Sequence, residues 1–450
     1  MNQQNLSQDQ LMRNASSNRA LEVSRSSISS YEYEEGEDDE IIKVKKAKST
    51  EIQATFNLFK SFIGTGILAL PRSYSYAGLG LALIAMITCG LLSYHTMKLI
   101  IDAADQKPRK EKVSLESLAE EYLGNWGKYS IQFSIFVMQV SICIGALIFA
   151  NNFLDHTFCT FGVMDLCGNK LFNVIFCAIL VLPFTFIDNT HYFYIPSLVA
   201  SIFLMLGIGA QMDYNIEILT TQENFIGSFL EKIVEFEFGQ ISLFFGVASY
   251  AFEGIGVLFT IRQSMAKPQR LPTVIYWNFV ILVLIYTLFP SLSYMAFGKK
   301  VPEIILLSLP PRPFYTLVQT LYAVAAILSF PLQLSTGIKV VEQIPQFRDR
   351  IFDYRGMVIN GWLRYSVRFG IQFFIFFIAF TARSFHLFLN LVGSCVFTYA
   401  TFVLPVLVYQ KAFQGKIPLM KTIINYGGMI LGITLGTMGL IESLTIMLSY

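Results

Sequence analysis

The 450-residue chain is 54% hydrophobic and 15% aromatic, and its 33 Lys and Arg nearly cancel 31 Asp and Glu to leave a formal charge of +2. A mean hydropathy of +0.53, with charged residues at only 14%, excludes an ordinary soluble domain, where charged residues are about a quarter of the chain. The net charge says nothing by itself; the placement of the charges is what informs. No nucleotide-binding loop, metal-ligand spacing or nucleophile–base pattern stands in the sequence, so catalysis, metals and cofactors have no candidate residues.

Residues 1–50 are polar, rich in Ser, Gln and Asn, and run into Tyr31-Glu-Tyr-Glu-Glu-Gly-Glu-Asp-Asp-Glu40. Such a segment cannot bury enough apolar surface to offset the entropy of ordering, which predicts a disordered cytoplasmic tail. It holds no cleavable leader, so the first span is expected to direct insertion. Glu37-Asp-Asp-Glu-Ile41-Ile42 sets acidic residues ahead of paired isoleucines and is similar to an endolysosomal sorting signal. A plain solvated tail is the other reading, and the sequence leaves both open.

From residue 51 onward, apolar runs near the ~20 residues a bilayer demands predict an all-α integral membrane protein with eleven transmembrane helices. Five lie at 54–74, 78–101, 128–153, 170–188 and 194–212; six follow at 240–262, 273–297, 314–338, 366–383, 386–410 and 426–448. The ninth has a short uninterrupted apolar core and opens with Arg364 and Arg368. Charge placement checks the count. With the N-terminus cytoplasmic, inner segments hold 22 Lys and Arg against 7 outside, the bias of the positive-inside rule. Eleven spans then put the C-terminus on the lumenal or extracellular side.

Two spans are broken by glycines at matching places: Ile63-Gly64-Thr65-Gly66-Ile67 in the first and Glu253-Gly254-Ile255-Gly256-Val257 in the sixth. Unwound backbone at bilayer depth is tolerated only where it lines a cavity or is shielded by protein. Paired Gly-interrupted spans in two halves point to a transporter's substrate site. The sixth span starts on the opposite side from the first, which predicts a LeuT-type five-plus-five inverted repeat with helices 1 and 6 broken. The repeats would cover about 54–212 and 240–410, with an extra helix at about 426–448.

The chemistry at the two breaks differs. Free amides of Thr65, Gly66 and Ile67, with the positive end of the following half-helix, suit a carboxylate. Carbonyls near Tyr250, Ala251, Phe252 and Gly254 suit an ammonium. Together they fit a zwitterion, of which a free amino acid is the commonest; the competing reading is glycine for close helix packing. Tyr250 and Phe252 either wall that site or belong to an aromatic-rich core. Glu253 is a candidate proton carrier or amine partner, or an acceptor for amides freed by the break. His95, near the inner end of the second span, is a candidate proton relay or a histidine satisfied by solvent. Glu442, in the last span, is expected to face the outer interface. Ser335 and Thr336 resemble the hydroxyl pair that holds an ion in sodium-coupled relatives of this fold, although such hydroxyls often bond back to their own helix. Cys159 and Cys167 share one outer loop, where a disulfide is feasible. Cys89, Cys143, Cys177 and Cys395 read as small hydrophobes in spans.

Two blocks carry a family resemblance. Asn57-Leu-Phe-Lys60, Gly64-Thr-Gly66-Ile-Leu68-Ala-Leu-Pro71, Ala77-Gly78, Gly90 and Ser93-Tyr-His95-Thr-Met97 form the first. Tyr250-Ala-Phe-Glu-Gly254-Ile-Gly256-Val, Met265, Pro268-Gln-Arg270 and Pro272 form the second, with echoes at Tyr294-Met-Ala-Phe-Gly298 and Leu391-Val-Gly-Ser394. From about residue 51 to its end the chain resembles the proton-coupled amino acid transporters of the amino acid/auxin permease group, which includes vacuolar amino acid transporters of fungi and plants. The resemblance implies eleven helices, a proton as coupling ion, small neutral amino acids as cargo, and His95 at the position of a histidine tied to proton coupling. Arg72 departs from it, standing where a neutral residue is expected, and the cysteine pair lies in one loop where the animal relatives bridge two.

These features together predict secondary active transport of small neutral amino acids with a proton, by alternating access in a lipid bilayer, without nucleic acid or enzymatic activity. Two alternatives stay open: an amino acid sensor at an endolysosomal membrane whose tail signals to protein partners of unknown identity, and a sodium-coupled carrier. A vacuolar or lysosomal membrane is expected, with the plasma membrane as the other location.

Overall fold

The structure is a computed structural model that describes residues 31–33, 44–46, 49–107, 113–160, 162, 167–183, 194–221, 227, 231–352 and 358–449. The first helix, α1 (Glu51–Phe62), is started by a capping box: Thr50 Oγ1 accepts from the Gln53 amide while Gln53 Oε1 accepts from the Thr50 amide. It stops where Ile63 turns extended at φ −82°, ψ 106°. A 3-10 turn, Thr65–Ala69, leads into α2 (Leu70–Ala77), which carries Pro71 in its first turn and ends at Gly78 with φ +74°.

Then come α3 (Leu79–Ala104), α4 (Leu115–Thr160, kinked at Gly124), α5 (Lys170–Val181) and α6 (Tyr194–Thr220). The second half opens with α7 (Ile241–Ala251) and α8 (Ile255–Ser264), followed by α9 (Leu271–Phe297), α10 (Pro313–Glu342) and the short α11 (Pro345–Ile351). Next are α12 (Gly361–Thr381) and α13 (Phe385–Val392). Two π turns, Gly393–Phe397 and Tyr399–Val403, join α13 to α14 (Leu404–Ala412), and α15 is Leu419–Ser449. The first π turn has a local cause. Gly393 lies so close to α7 that a Cβ on it would fall 1.9 Å from the Gly246 carbonyl oxygen, and the Gly393 carbonyl is taken by Thr398 Oγ1 at 2.8 Å.

At the centre stands α7, buried from Ser242 through Ala251, with α2, α3, α13 and α15 packed around it. Partly enclosing these, α10 packs on α4 and α6. Large apolar side chains cover the outside: Phe373, Phe374 and Phe377 on α12 and Ile423, Ile430 and Ile441 on α15 are exposed, a surface that lipid rather than water would cover. Glu442 differs from expectation. It is half-buried, and its carboxylate accepts from Ser242 Oγ, tying α15 to α7.

Among the described residues, nine helices are long and apolar enough to cross a bilayer by length and composition, counting α7–α8 and α13–α14 as one each. The difference from eleven has two sources. The first expected span is divided into 12-residue and 8-residue helices by the break and its 3-10 turn. The fourth forms a 12-residue helix continued by a turn at Leu182 and Pro183, and the rest of 170–188 lies outside the described residues. Within residues 1–50, Tyr31–Tyr33 pairs antiparallel with Val44–Lys46, in the register Tyr31↔Lys46, Glu32↔Lys45 and Tyr33↔Val44. Glu37–Ile42 lies outside the described residues.

Candidate functional site

At the first interruption the α1 ladder ends with the Ile63 amide on the Phe59 carbonyl. Two buried tyrosines take the carbonyls that follow: Tyr286 donates to Phe62 O at 2.8 Å and Tyr322 to Gly64 O at 3.5 Å. The 3-10 turn has no side-chain cap, and its first internal bond is from the Ile67 amide to the Gly64 carbonyl, so the amides of Thr65 and Gly66 precede it and have no partner within the turn. Thr65, Gly66 and Ile67 are buried. Beside them there is room: a Cβ built on Gly64 would meet no atom within 4 Å.

At the second interruption the Phe252 amide makes the last α7 bond, to Ala248 O at 3.0 Å. Phe252 (φ −89°, ψ 14°) and Gly254 (φ −157°, ψ 3°) then leave helical geometry. Past the cap bond, the carbonyls at the C-terminal end of α7 have no intrahelical donor. Glu253 is half-buried, and its Oε1 accepts the Gly256 amide at 3.1 Å. The carboxylate therefore serves a backbone donor at the start of α8, the capping alternative open for it in the sequence.

Glycine brings the two breaks into contact. A Cβ on Gly254 would fall 2.3 Å from Phe62 Cζ, and one on Gly66 would fall 2.7 Å from the Tyr250 ring. Around this contact stand Phe279 and Tyr286 of α9 and Phe397 of the π turn. Ring centroids lie 5.5 Å apart for Phe62–Phe279, 5.2 Å for Phe252–Tyr286 and 4.7 Å for Tyr250–Phe397. Ile63–Ile67 and Tyr250–Gly254 thus form one locus. Sequence inspection missed Phe279, Tyr286, Tyr322 and Phe397, because nothing in a chain with 22 Tyr and 41 Phe singles them out. The one available signal was physical: a tyrosine in a buried span must find a carbonyl for its hydroxyl.

The other candidates lie apart. Gly90 of α3 is against Phe252, and His95 is five residues, or about 7.5 Å of helix rise, further toward Ala104. Its Nε2 meets Asn425 Oδ1 of α15 at 2.7 Å. Ser335 and Thr336 both donate to the Leu332 carbonyl, at 2.8 and 3.0 Å, the back-bonded arrangement. Cys159 and Cys167 are joined as a disulfide. Cys89, Cys143 and Cys177 are buried, whereas Cys395 is exposed. Among the described residues no cluster of three or more His, Cys, Asp or Glu could hold a metal.

Contacts close both ends of the interrupted pair. At the Glu51 end, the Ser49 amide donates to Ser264 O at 2.7 Å and the Ala266 amide to Ser49 O at 2.9 Å; Arg262 pairs with Asp105. At the Ala77 end, Arg72 Nη1 donates to the Lys299 and Val301 carbonyls, each at 3.2 Å.

Residues 47–448 match the family described as transmembrane amino acid transporter protein. The chain belongs to this family. Within the transmembrane amino acid transporters, it is 32% identical to vacuolar amino acid transporter 4 of Saccharomyces cerevisiae over 301 residues, which are 64% of this chain and 40% of that protein. It is 29% identical to vacuolar amino acid transporter 3 of the same yeast over 371 residues, 81% of this chain and 52% of that one. The matches therefore span about half or less of the yeast proteins. Amino acid transporter AVT3B of Arabidopsis thaliana is 26% identical over 420 residues, 91% of this chain and 96% of the relative. In three dimensions the fold is similar to the inward facing conformation of Mhp1, a LeuT-type fold, with a TM-score of 0.51 at 16% identity over 89% of this chain and 90% of that one.

Proposed function

We propose that this transporter carries small neutral amino acids together with a proton by alternating access around the two interruptions. The observation that supports it most is their mutual packing. The free amides of Thr65 and Gly66 and the carbonyl-bearing end of α7 share one buried locus, with open space beside Gly64. Backbone donors and the positive helix end would hold the carboxylate; carbonyls near Ala251–Phe252 would hold the ammonium. The rings packed about the two interruptions, Phe62, Tyr250, Phe252, Phe279 and Tyr286, favour a neutral, compact cargo.

In this proposal the chain has eleven spans, with α1 to α2 as one and α5 continuing beyond Val181, arranged as a five-plus-five inverted repeat plus α15. The excess of Lys and Arg supports a cytoplasmic Glu51 end. The Cys159–Cys167 disulfide then faces an oxidising lumen, and residues 1–50 form a cytoplasmic segment. The yeast relatives' names favour a vacuolar membrane. His95 and Glu253 are the groups proposed to take up and release the coupling proton.

The test is uptake of labelled amino acids into proteoliposomes holding the full chain, screened across cargoes with pH and sodium varied independently. Accumulation of small neutral amino acids under an imposed pH gradient, without sodium and collapsed by a protonophore, is expected. Sodium-dependent uptake with no response to the gradient would overturn the coupling.

A further inference from the structure

His386 is used by none of the chemistry above. It lies in the first turn of α13 and is 1% exposed. Its Nε2 is 2.9 Å from Ser73 Oγ of α2, and the Ser73 hydroxyl also reaches its own helix at Ala69 O, 3.3 Å away. In either tautomer Nδ1 is buried and has no hydrogen-bond partner. The imidazole is therefore the one side-chain hydrogen bond from α13 to α2 among the described residues, and it keeps a free site for a proton.

The surroundings disfavour charge on that ring. Tyr76 of α2 lies against it, ring centroids 5.0 Å apart, and the Arg72 guanidinium sits 5.1 Å from the centroid of the same Tyr76. Arg72 uses Nη1 on two carbonyls, its Nε is buried and unpartnered, and no carboxylate pairs with it among the described residues. The ring also stands at the positive end of α13, where a cation is disfavoured. Glu303 is the anion that reaches this turn among the described residues, and it is occupied: it accepts from Ser384 Oγ at 2.8 Å, from the Phe385 amide at 2.9 Å and from the His386 amide at 3.4 Å. Lys299 is paired with Glu237. On the other helices packed against α13, the Tyr250 ring of α7 rests on Gly66, Glu442 of α15 is held by Ser242, and near the end of α4 Asp155 takes the Gly168 amide beside the half-buried His156.

We propose that His386 is a proton-operated latch on the seam between α2 and α13: neutral, it holds the seam shut through Ser73; protonated, it is driven from beside Arg72 and the seam opens. The sign follows from linkage. An open seam hydrates the imidazole and separates it from Arg72, so protons bind the open state more tightly and acid favours opening. Histidine is the side chain whose ordinary titration falls between about pH 5 and 8, the range between a neutral cytosol and an acidic lumen. Placing this seam at the lumenal face rests on the function proposed above; its response to pH does not.

The test is amide hydrogen exchange of the purified full chain without cargo, at about pH 7.5 and about pH 5.5, corrected for the intrinsic pH dependence of exchange. Peptides covering Leu70–Ala77 and Phe385–Val392 are expected to lose about tenfold in protection on acidification in the unmodified chain. In His386→Gln, which keeps a hydrogen-bonding side chain toward Ser73, the ratio between the two pH values should fall to one. Should that variant fail to fold, His386→Asn serves, and the ratio should again fall to one. A full acid response in either folded variant overturns the latch. Uptake is read separately, so loss of proton-driven transport with the exchange response intact would strike the transport proposal alone.

Discussion

The ring of Phe62 rests on Gly254, so close that a Cβ on the glycine would fall 2.3 Å from Phe62 Cζ. Phe62 is the last residue of α1 and Gly254 the residue before α8. The contact joins the two half-helices of the Glu51 end at the point where each main chain unwinds. A second contact, Tyr250 on Gly66, joins α7 to the turn that starts the other half. Each interruption is thereby fitted to the other.

Gly254→Ala and Gly66→Ala should therefore behave unlike Gly64→Ala. The first two place a methyl inside an aromatic ring's volume, and overpacking of that kind costs about 1–3 kcal/mol. Each is expected to lower uptake at least about tenfold and to reduce the unfolding temperature. At Gly64 the backbone is extended, at φ −138°, and a methyl meets nothing. Stability should then change by less than about 0.5 kcal/mol, while KM rises because the methyl occupies cargo space. Thermal melts and uptake kinetics on the three variants separate these outcomes.

Tyr286→Phe removes the hydroxyl that donates to Phe62 O at 2.8 Å and leaves a carbonyl unsatisfied at bilayer depth. A cost of about 1–3 kcal/mol is expected, read as a lower melting temperature. Tyr322→Phe loses the longer 3.5 Å contact to Gly64 O and should cost less.

Glu253 offers a split between structure and charge. Glu253→Gln keeps an oxygen for the Gly256 amide and should leave the fold intact while changing the pH profile of uptake. Glu253→Ala loses the acceptor as well, with a further loss of about 1 kcal/mol in stability, the usual worth of a helix cap. Equal melting temperatures for the two would contradict the capping role.

His95→Gln can keep the hydrogen bond to Asn425 Oδ1 but cannot titrate between about pH 5 and 8. Uptake in this variant is expected to lose its dependence on the imposed pH gradient with the protein still folded in the membrane. A retained dependence would remove His95 from the coupling and leave Glu253.

Much of this was legible in the sequence, for physical reasons. A span must be apolar over a fixed length, so the segments were marked by composition. A break within one must be built from residues that tolerate bare backbone, so Gly64, Gly66 and Gly254 stood out. Partners across space were not legible. Tyr286 and Tyr322 act through hydroxyls that reach another helix's carbonyl, and no local pattern announces that. Glu442 was read as facing the outer interface because its distance from the chain end was visible and Ser242 was not. Ser335 and Thr336 resemble an ion-holding pair by type, and the carbonyl both hydroxyls donate to, Leu332 O, is not something residue type announces. His386 escaped notice because its burial comes from the meeting of α2 and α13, more than 300 residues apart in sequence.

The most direct test of a zwitterion held by bare peptide groups is competition by truncated ligands in proteoliposomes. An amino acid that is transported should be compared with its decarboxylated amine and its deaminated acid, each offered as an inhibitor of labelled uptake. Either truncation leaves one set of buried backbone groups unpaired, and an affinity loss of about 100-fold or more is expected for both. If the amine or the acid inhibits as strongly as the parent, the two interruptions do not hold the two ends of the cargo.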